Sequence, residues 1–303
     1  MGSVRLQGKT VSLVLGSGGA RGLAHIGVIR ELEKAGADIQ AIAGSSMGAL
    51  VGGIYAAGKL DPYEDWVCAL EQSNVFSLVD WTFSGGGLIK GRKIINKLSE
   101  LVGELAIEDL GIDYTAVAVD LAQGREVWLD RGPLFDAIRA SIAIPGIFTP
   151  HRYGNRVLID GGILNPIPVA PTLRQMNDLT VVIDVNGPSE ARVGDNDDIE
   201  DDDESGGLMD RLRDFVDGIG PDRPPKPEQP GLFAVMLRSL DIMESAITRQ
   251  HLAIFQPDLV IQIPKDTATI HEFHRAREII EHGARIAQTK LSEPIRSHGA
   301  DHV

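Results

Sequence analysis

A serine between two glycines is the first feature of this sequence whose spacing suggests chemistry. Gly44, Ser46 and Gly48 fit the pattern G-x-S-x-G, which here follows an apolar run and precedes a stretch of small residues. In many acyl-transfer enzymes this pattern marks a tight turn from a strand to a helix, with a nucleophilic hydroxyl exposed at its tip. The same spacing also arises by chance in unrelated proteins. Ser46 is therefore a candidate nucleophile that needs support from the rest of the chain.

A glycine-rich segment, Gly16 to Gly22, lies upstream of this serine and reads GSGGARG. It departs from the dinucleotide-binding pattern because Arg21 replaces the third glycine, and from the P-loop because Leu23 stands where lysine is required. Backbone N–H groups at the start of a helix attract negative charge. The segment therefore predicts a site for an oxyanion, a phosphate or a carboxylate, one strand away from Ser46.

A serine nucleophile needs a base, and Asp160 is a better candidate than any histidine. The chain has eight histidines, and none has a triad-like neighbourhood; His25, for example, is expected to pack within a helix. Asp160 ends the apolar run VLID and is followed by two glycines. Burial would raise its pKa above the ordinary value of about 4, toward that of a useful general base. The alternative, that Asp160 only caps the turn before Pro166, remains open.

The elements that must position these groups alternate between strands and helices. A strand, the glycine segment, a helix, a second strand, the serine turn and a second helix form a βαβα unit, whose two strands are expected to be parallel neighbours. Further strands are expected at 113–121, 125–130, 155–162, 178–186 and 257–264, the first two as a hairpin, and further helices at 61–71, 91–102, 133–143, 232–255 and 271–291. This alternation predicts an α/β fold, a three-layer sandwich whose central sheet is mostly parallel.

The charge of the chain is unevenly distributed. The net charge of −14 argues against a nucleic-acid-binding protein. Residues 190–204 hold nine acidic residues and one arginine, and a proline-rich stretch follows them. The acidic run lacks the glycine of an EF-hand loop and is expected to be solvated rather than to bind calcium. We predict a single domain, residues 1–303, interrupted by a mobile acidic and proline-rich insertion at 190–230.

Composition also bears on the compartment. Cys68 is the only cysteine, so internal disulfides and thiolate metal clusters are excluded. The first ten residues lack the apolar core of a signal peptide, and no apolar run approaches the roughly 20 residues of a membrane helix. A cytoplasmic protein, peripheral at the membrane if its substrate is a lipid, is the expectation.

Taken in order, the segments GSGGARG, GSSMG and IDGG resemble the patatin-like phospholipases. Three more stretches are similar to bacterial members of that family: GLIKGRKIINKL, RASIAIPGIFTP and DGGILNPIPV. The resemblance extends from about Val11 to Val185 and implies a patatin-like fold.

The resemblance also implies an activity. The family uses a Ser-Asp dyad without histidine and hydrolyses acyl esters of lipids. Carried over by position, Ser46 is the nucleophile and Asp160 the base. The backbone N–H groups of Gly18, Gly19, Ala20 and Arg21 form the oxyanion hole. No metal and no cofactor are expected. The implied enzyme is a serine carboxylic-ester hydrolase of the phospholipase A, lysophospholipase or esterase type.

Two other functions stay open at the level of the sequence. An acyltransferase on a related fold is one, although its serine turn would resemble G-H-S-x-G and this chain has Ser45 where the histidine would stand. A non-catalytic regulatory scaffold is the other. The expected partner is a lipid or acyl-ester substrate, with no nucleic acid. Transient contact with a membrane surface through Trp81 to Ile89 is one interpretation of that apolar stretch, and packing of the same stretch onto the protein body is the other.

Overall fold

The computed structural model describes residues 6–70, 87–189 and 232–293. The chain divides into a large unit, residues 1–189 with 239–303, and a small unit, residues 190–238, of which only 232–238 are described. The insertion predicted at 190–230 lies outside the described residues, as do residues 81–86 of the apolar stretch. The mobility of the insertion and the single-domain assignment therefore stay predictions.

Ten strands are found among the described residues. They are β1 Lys9–Leu15, β2 Ala37–Ser45, β3 Gly87–Ile89, β4 Asp113–Asp120, β5 Arg125–Leu129, β6 Gly146–Phe148, β7 His151–Tyr153, β8 Arg156–Asp160, β9 Leu179–Gly187 and β10 Leu259–Pro264. The central sheet has the order β10-β9-β1-β2-β4-β8-β7, and β5 also pairs with β4. Strands β3 and β6 form a separate parallel pair.

The central sheet is parallel through β10, β9, β1, β2 and β4, as the alternation predicted. Its other part is antiparallel: β5 and β8 both run against β4, and β7 runs against β8. The fold is thus α/β with a mixed central sheet. The predicted hairpin of β4 and β5 is confirmed, and its turn contains Gly124 with φ of 60°.

Helices flank this sheet. Those described are α1 Ala24–Lys34, α2 Met47–Ala56, α3 Leu60–Cys68, α4 Arg92–Val102, α5 Leu134–Ser141, α6 Leu232–Phe255 and α7 Ala276–Ser292. Alternate residues of a strand face opposite sides of a sheet. In β1, Leu13 and Leu15 belong to the large core that includes α1 and α7, whereas Val14 packs in a second cluster with Leu252 and Phe255 of α6. Helices therefore pack on both faces of the sheet, and together with the sheet they form the predicted three layers.

Helices α1 and α7 cross at two glycines. A Cβ atom at Gly27 would lie 2.0 Å from the carbonyl oxygen of Ile280, and one at Gly283 would lie 2.4 Å from that of Ala24. At this separation a Cβ atom on either glycine would overlap the backbone of the other helix, so the close crossing requires glycine at both positions. None of the described helices combines the length and the apolar character needed to cross a membrane.

Candidate active site

The turn that carries Ser46 joins β2 to α2. Ser46 lies between Ser45, the last residue of β2, and Met47, the first of α2, and it adopts φ of 54° and ψ of −123°. A positive φ is rare for a residue with a side chain and costs about 1–3 kcal/mol. The turn also requires its flanking glycines. A Cβ atom at Gly44 would lie 2.4 Å from the backbone of Gly48, and one at Gly48 would lie 2.1 Å from the carbonyl oxygen of Leu15.

Buried hydroxyl groups hold this turn in place. The amide of Ser46 donates to Ser141 Oγ at 2.9 Å, and Ser141 Oγ donates in turn to the carbonyl oxygen of Val117 at 2.6 Å. Ser45 Oγ donates to the carbonyl oxygen of Asn165 at 2.6 Å. Sequence reasoning did not identify Ser141 or Asn165, although both lie in stretches that carried the family resemblance.

Strand β4 brings Ser46 and Asp160 together. Ser45 at the end of β2 is paired with Val117, and Asp160 at the end of β8 is paired with the next residue, Ala118. Since β2 runs parallel to β4 and β8 runs antiparallel to it, the two strands approach from opposite directions and end at the same level. Their ends meet closely, because a Cβ atom at Gly161 would lie 2.1 Å from the carbonyl oxygen of Val117 and 3.0 Å from Ser45 Oγ.

Ser46 and Asp160 are in direct contact. Ser46 Oγ donates to Asp160 Oδ2 at 2.6 Å, and the two residues are 4% and 3% exposed. The other carboxylate oxygen, Oδ1, accepts the amide N–H of Gly162 at 2.7 Å and so caps a 3-10 turn at Gly161–Ile163. The two interpretations of Asp160, turn cap and partner of the serine, therefore both describe its geometry, since each uses a different oxygen.

The surroundings of Asp160 favour its protonated form. Burial, followed by the nearby charge of Glu244, raises the pKa of Asp160 from 3.8 to about 8, while the hydrogen bonds from Ser46 and Gly162 act in the opposite direction. A carboxyl group with this proton affinity binds a proton from a hydroxyl far better than an ordinary surface aspartate does.

The glycine segment lies beside the serine turn. Gly22 contacts Met47, because a Cβ atom at Gly22 would lie 2.3 Å from Met47 Cγ. Within the described residues, the amides of Gly18 and Gly19 have no hydrogen-bond acceptor, whereas the amide of Ala20 donates to the carbonyl oxygen of Ile270 at 3.0 Å. The Ala20 amide is therefore already engaged, whereas the amides of Gly18 and Gly19 can donate to an anion.

Arg21 is buried behind this loop. Its guanidinium donates to the carbonyl oxygen of Gly18 at 3.3 Å and to that of Lys265 at 3.1 Å, and it lies 3.5 Å from Asp241 Oδ1. The side chain is only 9% exposed. The Arg21 side chain thus caps the glycine loop from the inside of the protein.

No described histidine is hydrogen-bonded to Ser46 or Asp160. His25 is fully buried, and its Nε2 lies 2.9 Å from the carbonyl oxygen of Gly16. Burial lowers the pKa of His25 to about 4, so its ring is neutral at physiological pH. Among the described residues there is also no group of three or more His, Cys, Asp or Glu side chains arranged to hold a metal ion.

Known proteins resemble this chain to different extents. A sequence profile described as patatin-like phospholipase matches residues 13–173, a range that includes Ser46 and Asp160. A Mycobacterium tuberculosis protein named "Uncharacterized NTE family protein" is 39% identical over 338 aligned positions, which cover 95% of this chain and 94% of that protein.

Two further comparisons are partial or distant. Lysophospholipase nte1 of Neurospora crassa is 30% identical over 190 positions, which cover 60% of this chain and 12% of that protein. Among solved structures, VipD from Legionella pneumophila matches 93% of this chain and 66% of its own, with 14% identity and a TM-score of 0.42.

Proposed function

This chain belongs to the patatin-like phospholipase family, and from that premise we propose that it hydrolyses acyl esters of lipids with Ser46 as nucleophile and Asp160 as base. Membership of the family suggests a lipid hydrolase. The observation that carries the finer proposal is the buried 2.6 Å hydrogen bond from Ser46 Oγ to Asp160 Oδ2. This pair supplies a nucleophile and a proton acceptor without an imidazole.

In the first step, Asp160 accepts the proton of Ser46 while the serine oxygen attacks the acyl carbonyl carbon. The carbonyl oxygen becomes an oxyanion, for which we propose the amides of Gly18 and Gly19 as donors. Loss of one such donor costs on the order of 3 kcal/mol in an acyl-transfer barrier. The bond to the leaving alcohol then breaks, and the alcohol takes the proton back from Asp160. The product of this half-reaction is an acyl-enzyme ester on Ser46.

In the second step, water replaces the alcohol. Asp160 takes a proton from the water, whose oxygen attacks the acyl carbon. The ester bond to Ser46 breaks, and the serine oxygen recovers the proton from Asp160 as the fatty acid leaves. No metal and no cofactor take part in this scheme.

The substrate class rests on the family and on the name of one relative. The family is that of phospholipases, and the relative from Neurospora crassa is named a lysophospholipase. We propose a phospholipase A, lysophospholipase or esterase activity, with transient contact at a membrane or micelle surface because lipid esters are presented there. The acyltransferase alternative differs only in the acceptor of the second step, an alcohol in place of water.

The test compares the wild type with Ser46→Ala and Asp160→Asn on a panel of lysophospholipid, phospholipid and short-chain esters. We expect both variants to lose at least about 100-fold in kcat/KM, because the nucleophile or its base is gone. Ser292→Ala is the matched control, since Ser292 is exposed at the end of α7. Full turnover by a folded Ser46→Ala protein would refute the assignment.

A fluorophosphonate probe separates the enzyme from the scaffold. We expect covalent labelling of the wild type and none of Ser46→Ala. Release of free fatty acid identifies a hydrolase, whereas a new ester formed with added glycerol identifies an acyltransferase. Absence of labelling in the folded wild type would favour the non-catalytic scaffold.

A further inference from the structure

A second serine–carboxyl pair lies next to the Ser46–Asp160 pair. Ser17 Oγ of the glycine segment donates to Glu244 Oε2 of α6 at 2.8 Å. Ser17 is held at two more points, because its amide donates to the carbonyl oxygen of Pro166 at 2.9 Å and its own carbonyl accepts Asn186 Nδ2 at 2.7 Å. The proposed mechanism gives Ser17 and Glu244 no role, yet the fold fixes both beside the reacting groups.

Gly162 separates the two carboxyl groups. Its amide donates to Asp160 Oδ1 at 2.7 Å, and a Cβ atom on it would lie 2.9 Å from Glu244 Oε1 and 2.9 Å from Ser17 Cβ. Any larger residue would therefore displace the Glu244 carboxylate or the Ser17 side chain. Glycine at this position therefore lets the Glu244 and Asp160 carboxylates both approach the same residue.

We propose that Glu244 is a positioning residue that keeps a negative charge beside Asp160 and thereby sets how strongly Asp160 holds a proton. This inference rests on the proposed function, in which Asp160 is the base. A like charge within a few ångströms disfavours ionisation of a carboxyl group and so makes it a stronger proton acceptor.

Two other charged groups lie around Glu244, and they act on its ionisation in opposite directions. Asp241 lies one turn earlier on α6, and Arg21 faces both carboxylates from the glycine segment. The guanidinium of Arg21 lies 3.5 Å from Asp241 Oδ1 and makes its other contacts to carbonyl oxygens, so its charge is directed mainly at Asp241. The pKa of Glu244 is raised, first by burial and also by Asp241, while the hydrogen bond from Ser17 and the charge of Arg21 lower it. Ser17 thus favours the ionised form of Glu244.

The central experiment is the pH profile of kcat/KM for Glu244→Gln, a substitution that keeps the shape of the side chain and removes its charge. We expect the acidic limb to move down by about one pH unit relative to wild type, because a neighbouring charge a few ångströms away shifts a pKa by that order. Glu244→Asp keeps the charge and should keep the limb near its wild-type position. Arg249→Gln, exposed on the same helix, serves as the control for α6 itself.

A purely structural role for Glu244 gives a different result. In that case Glu244→Gln lowers kcat/KM at every pH without moving the limb, and this outcome would overturn the proposal. An equal displacement in Arg249→Gln would also overturn it, because the effect would then belong to the helix and not to Glu244.

A measurement that does not depend on turnover separates this inference from the proposed function. The ¹³C NMR signal of the Asp160 carboxyl carbon, assigned with Asp160→Asn, reports its titration directly. We expect a lower midpoint in Glu244→Gln than in wild type even if no ester in the panel is hydrolysed. If Glu244→Gln does not fold, the wild type labelled at Asp and Glu still tests the coupling: two interacting carboxyls titrate in two linked steps. Independent single-step curves would reject the proposal.

Discussion

At the scale of single residues, the two carboxylate oxygens of Asp160 make different contacts. Asp160 Oδ1 caps a turn, and Oδ2 accepts the hydrogen bond from Ser46. The turn fixes the carboxylate within reach of the hydroxyl, and burial increases its proton affinity. Burial of Asp160 lowers the free energy of unfolding at high pH, because its carboxyl group ionises more easily in the unfolded chain than in the folded protein.

This loss of stability predicts a pH-dependent difference between Asp160→Asn and wild type. The pKa of Asp160 is about 8 in the folded protein and 3.8 ordinarily, so between these values the unfolded chain has released a proton that the folded chain still binds. The contribution of Asp160 to the free energy of unfolding is thus fully present below about pH 4 and falls as the pH rises to 8, by at most about 1.4 kcal/mol per pH unit. Asp160→Asn should therefore gain stability relative to wild type from pH 5 to pH 8, measured by urea unfolding.

Ser46→Ala provides the control for this measurement, because it leaves the Asp160 carboxyl group in place. It should lose at least as much stability as wild type between pH 5 and pH 8, since the hydrogen bond that lowers the pKa of Asp160 is removed. A difference between Asp160→Asn and wild type that is constant across the pH range would contradict the expected proton affinity.

Sequence reasoning selected Ser46 and Asp160 because each lies in a short pattern of glycines that few other functions require. It could not select Ser141, Asn165 or Glu244. Serine, asparagine and glutamate are common surface residues, and only the pairing of distant elements shows that these three are within hydrogen-bond distance of the turn, the loop or their neighbours.

At the scale of elements, the strand–turn–helix unit depends on how closely α2 approaches β1. Gly48 in the first turn of α2 faces the carbonyl oxygen of Leu15, and a Cβ atom there would lie 2.1 Å from it. Both partners are backbone atoms, so no change of rotamer relieves the clash. Forced overpacking of this kind costs about 1–3 kcal/mol or more.

Gly48→Ala should therefore lower the free energy of unfolding by at least about 2 kcal/mol and displace Ser46 from Asp160. Chemical denaturation and the rate of fluorophosphonate labelling measure the two effects. Gly111→Ala is the matched control, since a Cβ atom there meets nothing within 4 Å. Equal stability and equal labelling in the two variants would show that α2 tolerates the methyl group.

The sequence predicted the long elements well and the short ones poorly. The strands β9 and β10 and the helix α6 were found within two residues of their expected bounds, because their apolar runs are long. The three-residue strands β3, β6 and β7 were not predicted, since three residues carry no periodic signal. The antiparallel direction of β8 was missed for another reason: alternating strands and helices favour parallel pairing, whereas β8 follows β7 directly.

At the scale of the whole molecule, the last described helix, α7, packs against the first helix, α1. Glycines on both helices bring α7 against α1, which itself begins directly after the glycine segment. Helix α7 therefore supports the glycine segment through α1, although more than half of the chain separates α7 from that segment in sequence.

Gly283→Ala tests this support. In an isolated helix the change would stabilise by about 1 kcal/mol, because alanine is the better helix former. In the folded protein its Cβ atom would lie 2.4 Å from the carbonyl oxygen of Ala24, so we expect a net destabilisation of about 1–3 kcal/mol in chemical denaturation. Gln288→Ala, exposed on the same helix, should change stability by less than about 0.5 kcal/mol. A stabilised Gly283→Ala protein would mean that the two helices have room to separate.

The position of β4 determines when Ser46 and Asp160 can come together during synthesis of the chain. The hydroxyl is available once the second strand has emerged from the ribosome, but its acidic partner is encoded 114 residues later and arrives from the opposite direction. Until β8 has docked end to end with β2 along the same edge of β4, the nascent chain carries Ser46 without the carboxylate that contacts it in the folded protein. If Ser46 and Asp160 act together as proposed, a truncated or half-assembled chain lacks the base and should not react with a fluorophosphonate probe.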